Sequence, residues 1–357
     1  MDDVPPLYIA NIGMVTPIGA NTAMSYAAFK AGISAYTESD FFTPENQRAT
    51  LAHLPLDYFR EHPETLYEAD YFNEMYEHII VMAMNALAEV LTDKEACLPL
   101  QSTFTFPEPI SRIKQLAPQL FFQNILQQEK FQLPKELIRV YRTGRAGVLQ
   151  AIELAHRYME SQENDYALIG ASDSYFHLPL IQHLAEDSRV LTKTGKGGFA
   201  PGEGACFLLL TKNPDLAMQV NNAKIALHLP GISQEQGHFY SDTPYRGEGL
   251  DLAYKSALKH CPPQSINKIF SSMNGEDYWT KEFGVARMRN HAYFDENADT
   301  EHPADSLGDT GAAAGGILLG LAAMELFHQP QHSHYLVQSS SDGPSRAAVV
   351  LERKTMA

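Results

Sequence analysis

The sequence predicts an α/β protein assembled from two similar halves, and three observations support this. Apolar strand-like runs alternate with helix-like segments along most of the chain. A polar stretch rich in Asn, Pro and Asp, "NPDLAMQVNN" (213–222), interrupts the alternation. After it the same order of elements begins again, although no residue-level repeat is visible. The expected halves are residues 1–215 and 222–357.

The first half opens with the buried-strand candidate "PLYIANIGMV", the turn "TPIGANT" and a helix "AMSYAAFKAG". "YFNEMYEHIIVMAMNALAEVL" (71–91) carries apolar residues at helical spacing and predicts a long core helix. "LQAIELAHRY" (149–158) is amphipathic and leads through "MESQEND" to a short buried strand, "YALIGAS"; "GACFLLLTK" (204–212) is another. In the second half come a strand "AKIALHLPGI", a helix "GLDLAYKSALKH", a strand "KIFSSM" and a further helix. "HYLVQSS" and "RAAVVLERK" read as the closing strands. Residues 36–70 and 100–137 are richer in Pro, Gln and aromatics, and are expected to be excursions over the core.

The 357 residues are 44% apolar, enough for a substantial core. A net charge of −16 repels nucleic acid and anionic lipid and argues against both as partners. The start, "MDDVPPLYIA", lacks a basic region and does not read as a secretion signal. The longest apolar run, "GAAAGGILLGLAAMELF", is short for a membrane span. Cys97, Cys206 and Cys261 are dispersed, which argues against disulfides and zinc and for a reducing cytoplasm.

Several motifs invite chemistry and fail on detail. "GKGGFAPGEG" (195–204) lacks the strand before it and the Lys-Ser/Thr ending of a phosphate loop. "GASDS" (170–174) places Ser172 after a strand but lacks the closing glycine of a nucleophile elbow. "HSH" (332–334) reads as a surface loop, so no metal is expected, and no cofactor either. "NGEDYW" (274–279) is better placed, at the C-terminal edge of a strand, where α/β proteins build sites. "SLGDTGAAAGG" (306–316) is a Gly/Ala turn opening an apolar helix, with Asp309 at its mouth.

Together these segments resemble the β-ketoacyl-acyl-carrier-protein synthase family. "IANIGMVTPIGANTAMSYAAFKAGISAY" resembles its opening strand, Gly-x-Val-Thr-Pro-x-Gly turn and helix, and "YALIGASDSY" its strand ending in Gly-Gly. "GGFAPGEGACFLLLT" resembles its Gly-Phe-x-x-Gly-Glu-Gly-Ala segment, and "SLGDTGAAAGGILLGLAAMEL" its Gly-His-x-x-Gly-Ala-Ala-Gly turn. The resemblance implies a thiolase-like αβαβα sandwich of five layers, built from two βα halves and usually homodimeric. It also implies a cysteine at a helix N-terminus that takes an acyl group, two histidines that stabilise an enolate, and a nearby lysine.

None of these residues stands at its matching position. The cysteine's place falls on Tyr141 or, aligned on the following helix, on Arg145. The histidines' places hold Asn274 and Asp309, the lysine's place holds Ala304, and the Gly-Phe-Gly-Gly loop is replaced by "SSSDGPSR". Asp309 is expected to cap the helix it precedes. The expected function is therefore that of a non-condensing binding subunit, either a chain-length-factor-like partner of an active synthase or an accessory protein. An acyl carrier protein or a secreted effector are further partners to consider. Arg139, Arg142, Arg145, Lys193 and Lys196 form the expected docking cluster. The rival expectation is a cysteine-independent acyltransferase or hydrolase using Asn274, Glu276, Asp277, Tyr141 and Asp309.

Overall fold

The computed structural model describes residues 4–61, 74–92, 100–110, 113, 115–128, 131, 133–161, 164–195, 197–329 and 333–355. In chain order the first elements are β1 (Leu7–Val15), α1 (Thr22–Lys30), β2 (Tyr36–Phe42), β3 (Arg48–Ala52), α2 (Leu56–Glu61) and α3 (Glu74–Val90). Next come β4 (Gln101–Thr105), α4 (Pro118–Gln127), β5 (Ile138–Tyr141), α5 (Gly147–Ser161), β6 (Tyr166–Ser174), α6 (Leu178–Glu186) and β7 (Glu203–Thr211). The chain continues through β8 (Ala223–Leu227), β9 (Gly231–Gln234), α7 (Glu248–Leu258), β10 (Ile266–Ser271), α8 (Asp277–Arg289) and β11 (Phe294–Glu301). It closes with α9 (Ala304–Leu307), α10 (Ala314–Phe327), β12 (His334–Ser340) and β13 (Ser345–Thr355).

Strand order makes the duplication visible. One series runs β1-β7-β6-β4-β5 and the other β8-β13-β12-β10-β11. In both, the first two pairings are antiparallel and the last two parallel. A short β1–β8 pairing at Leu7 and Tyr8 joins the series into one sheet, and β9 adds to β13.

The layers follow from where apolar residues lie. Helix α10, "AGGILLGLAAMELF", is buried nearly all round, because it lies in the middle of the molecule beside α5. Residues of both strand series close over this helix pair, among them Ile12, Cys206, Val337 and Val349. The far face of the first series is covered by α3 and α4, and that of the second by α7 and α8. The arrangement is the five-layer αβαβα sandwich. Among the described residues no helix is long and apolar enough to cross a membrane.

Two sequence expectations need correction. Residues 100–137 are not wholly an excursion: "QSTFT" is β4, a buried strand between β6 and β5. Its Ser and Thr side chains hid it from a search for apolar runs. The segment 36–52 is a β2–β3 hairpin outside the main sheet. Of "HSH", His332 lies outside the described residues, and His334 begins β12 opposite Glu352 rather than lying in a loop.

Candidate functional site

Two tight turns meet at the centre of the sandwich. Thr143-Gly144-Arg145-Ala146 opens α5, and Thr310-Gly311-Ala312-Ala313 opens α10. Each begins on a glycine in the left-handed region, at φ 62° and 57°, where a side chain is strained. The small residues allow close approach: a Cβ on Gly315 would lie 2.7 Å from the Arg145 carbonyl oxygen.

Arg145 is 3% exposed and points into this junction. Its Nε donates to Asp309 Oδ2 at 2.8 Å and its Nη1 to Asp342 Oδ1 at 2.6 Å. Burial works against its charge, but Asp309 and then Asp342 outweigh that and hold the guanidinium protonated. Asp309 Oδ1 accepts from the Gly311 amide at 2.9 Å, in the turn before α10; α10 itself starts after Ala313 with no side-chain cap, which corrects the capping expectation. Asp309 Oδ2 takes Arg145 and also Asn274 Nδ2, at 2.8 Å.

The cluster extends through Glu276, whose carboxylate receives Arg189 in bidentate fashion at 2.7 and 2.9 Å and the Trp279 indole at 2.9 Å. Arg189 Nη1 then reaches Asp342 Oδ2 at 2.7 Å. Burial opposes the charge of Asp342, but Arg145 and Arg189 outweigh it and keep its carboxyl well below the usual range. The loop carrying Asp342 is held by Arg346, whose Nη1 donates to the carbonyls of Ser341, Gly343 and Ser345. Arg346 is itself buried against Glu282.

A cavity of about 290 Å³ adjoins the cluster. Ile79, Phe106, Leu116 and Leu180 contribute apolar wall, while Arg145, Asp173 and Asp342 supply charge. Burial raises the Asp173 carboxyl to about 7, against the pull of the Ala312 and Ser174 amides it accepts from. No cysteine is among the described residues lining this cavity.

The sequence-predicted residues separate clearly. Arg145, Asn274, Glu276 and Asp309 come together. Tyr141 does not; it ends β5, and its carbonyl accepts from the Phe106 amide. Ala304 opens α9 and brings no charge, its carbonyl accepting from the Tyr36 hydroxyl. Asp277 is exposed in the first turn of α8. Arg145 must also be removed from the docking cluster, because it is consumed by buried carboxylates. Arg139 is exposed, Arg142 is half-buried on Gln115, Lys193 lies at the surface near Glu38, and Lys196 falls outside the described residues.

Cys97 also lies outside the described residues. Cys206 sits against Gly316 of α10 with no exposure, and burial pushes its thiol well up. Sequence reasoning missed Arg189, Asp342 and Asp173. The available signals were acids inside two quoted segments, Asp173 in "GASDS" and Asp342 in "SSSDGPSR". Among the described residues no group of His, Cys, Asp and Glu is arranged to hold a metal.

The fold has well-matched counterparts among solved structures. An oxazolomycin ketosynthase domain from Streptomyces albus superposes with a TM-score of 0.77 at 13% identity, over 100% of this chain and 75% of that one. A ketosynthase in complex with its chain length factor from Xenorhabdus doucetiae gives 0.71 at 16% identity, over 99% and 98%. A type II polyketide synthase ketosynthase in complex with its acyl-carrier protein gives 0.72 at 14%, over 99% and 100%. No protein-family profile matches the chain, and no curated protein matches its sequence. At these identities the likeness defines a ketosynthase-like, thiolase-type fold, as the sequence resemblance implied.

Proposed function

We propose that this chain is a non-condensing ketosynthase-fold subunit that works by binding, paired with a catalytic ketosynthase in the manner of a chain length factor. The observation that carries the reading is the buried Arg145–Asp309 pair. It fills the junction of two helix starts, where the resemblance implies a nucleophilic cysteine and an enolate-stabilising histidine. An arginine cannot form a thioester, and a carboxylate already taken by Arg145, Asn274 and the Gly311 amide offers an enolate no hydrogen-bond donor. Support for pairing comes from the ketosynthase–chain length factor complex among the similar folds. Arg139 and Arg142, basic residues on an acidic chain, are the docking residues of this reading, which places the protein in a reducing cytoplasm.

The test is intact-protein mass after incubation with an acyl-carrier thioester, together with release of carbon dioxide from malonyl-carrier protein. The expected result is unchanged mass and no release. Stoichiometric acylation would overturn the reading. A second reading, a cysteine-independent hydrolase or acyltransferase, draws on Asp173, Asp342, Tyr175 and Tyr240 around the cavity, where Asp173 titrates near neutrality. Turnover of the thioester without any covalent adduct would favour it.

A further inference from the structure

Between β9 and α7, residues 235–247 form a strap that reaches the cavity at Tyr240. Its backbone is tied to the loop that carries Asp342. The Glu235 amide donates to the Pro344 carbonyl at 2.8 Å, and the Phe239 amide to the Asp342 carbonyl at 3.1 Å. Glycines stand near both ends. Gly247 has φ 64°, and Gly237 lies so close to the returning chain that a Cβ would fall 2.6 Å from the Tyr245 Cα.

Tyr240 has an unusual place on this strap. The residue is 52% exposed, yet its hydroxyl turns inward. That hydroxyl accepts from Arg189 Nη1 at 2.8 Å and donates to Asp342 Oδ2 at 3.4 Å. Beside it, the Phe239 ring lies 4.1 Å from the Arg189 guanidinium carbon. Tyr240 also lines the cavity. Little apolar burial holds such a ring in place, so its polar contacts fix Tyr240 and add to the Phe239 contacts that keep the strap down.

We propose that Tyr240 is a latch. The phenol bound to Arg189 and Asp342 holds the part of the strap between the fixed Gly237 and the left-handed Gly247 down against the cavity. The ionic cluster thus seals the junction of the helix starts and also receives the hook. Losing the hydroxyl leaves Arg189 and Asp342 still paired at 2.7 Å, so the latch can be removed without dismantling the cluster.

The experiment is Tyr240→Phe in the full chain, followed by hydrogen exchange. Peptides covering residues 236–247 should exchange about tenfold faster, as expected for loss of a hydrogen bond to a charged group. The melting temperature should fall by no more than a few degrees, since the same bond is lost relative to the unfolded chain. The chain's single tryptophan gives a second readout: Trp279 is 3% exposed and stacked on Phe239 at 6.0 Å. Its quenching by acrylamide should increase in the variant. Unchanged exchange in the strap, or unchanged quenching of Trp279, would overturn the latch.

Discussion

The turn before α5 and the turn before α10 have the same backbone and opposite chemistry. Each is a Thr-Gly-x-Ala turn with a left-handed glycine, at the equivalent point of its half. The first carries Arg145 where the second has Ala312, and the second is preceded by Asp309 where the first is preceded by Arg142. Helix starts carry partial positive charge, so a guanidinium placed between two of them is unfavourable on its own. Asp309 and Asp342 offset this by accepting from the guanidinium, and Asp309 accepts an amide of the α10 turn as well. The comparison teaches that the turn geometry and the groups mounted on it are separable. A frame suited to a reactive centre can hold an ion pair instead.

The largest effect is expected from breaking that pair on one side. Arg145→Met leaves Asp309 and Asp342 short of a partner in the interior and should lower stability by about 3–5 kcal/mol in urea titrations. A loss below about 1 kcal/mol would mean that the cluster is solvated and the comparison mistaken.

The two glycines offer a sharper contrast. A Cβ on Gly311 would fall 2.1 Å from Asp173 Oδ2, whereas on Gly144 it would meet the Glu108 side chain at 3.2 Å. Both alanine variants carry the left-handed penalty of about 1–2 kcal/mol, but Gly311→Ala should cost more, since Asp173 is fixed by two amides. Equal unfolding free energies would show that the α10 turn yields as easily as the α5 turn.

Asp173 adds a pH dependence that only the α10 turn carries. Its carboxyl rises from 3.8 to about 7, so the folded chain keeps a proton that the unfolded chain releases. Stability from this group therefore falls as pH rises between about 4 and 7, and the loss is complete above that window. Asp173→Asn should remove the slope, its urea midpoint gaining on that of the unaltered protein as pH rises. A constant difference between the two would refute the assignment. The smallest stability effect belongs to the surface. Arg139→Glu should change stability by no more than about 0.5 kcal/mol while weakening association with a ketosynthase partner in a binding titration.

Apolar elements were legible in the sequence, as β1, β7 and α10 show. β4 and β11 were not, because "QSTFT" and "FDENADTE" are polar and neither alternates cleanly. The Thr-Gly-x-Ala repeat was present in the sequence but too short to be distinguished from chance. At the site, Arg145, Asn274 and Asp309 were found through their place in motifs. Arg189 belongs to no motif, and nothing in "SSSDGPSR" pairs Asp342 with it; they meet across 153 positions, and only the folded chain brings them together.

A double-mutant cycle on Arg145 and Asp309, read by urea unfolding, tests the central claim most directly. If the junction is a neutralised ion pair, Arg145→Met and Asp309→Leu are each strongly destabilising. Their combination should then recover about 2–3 kcal/mol of the summed loss. Strict additivity of the two losses would contradict it.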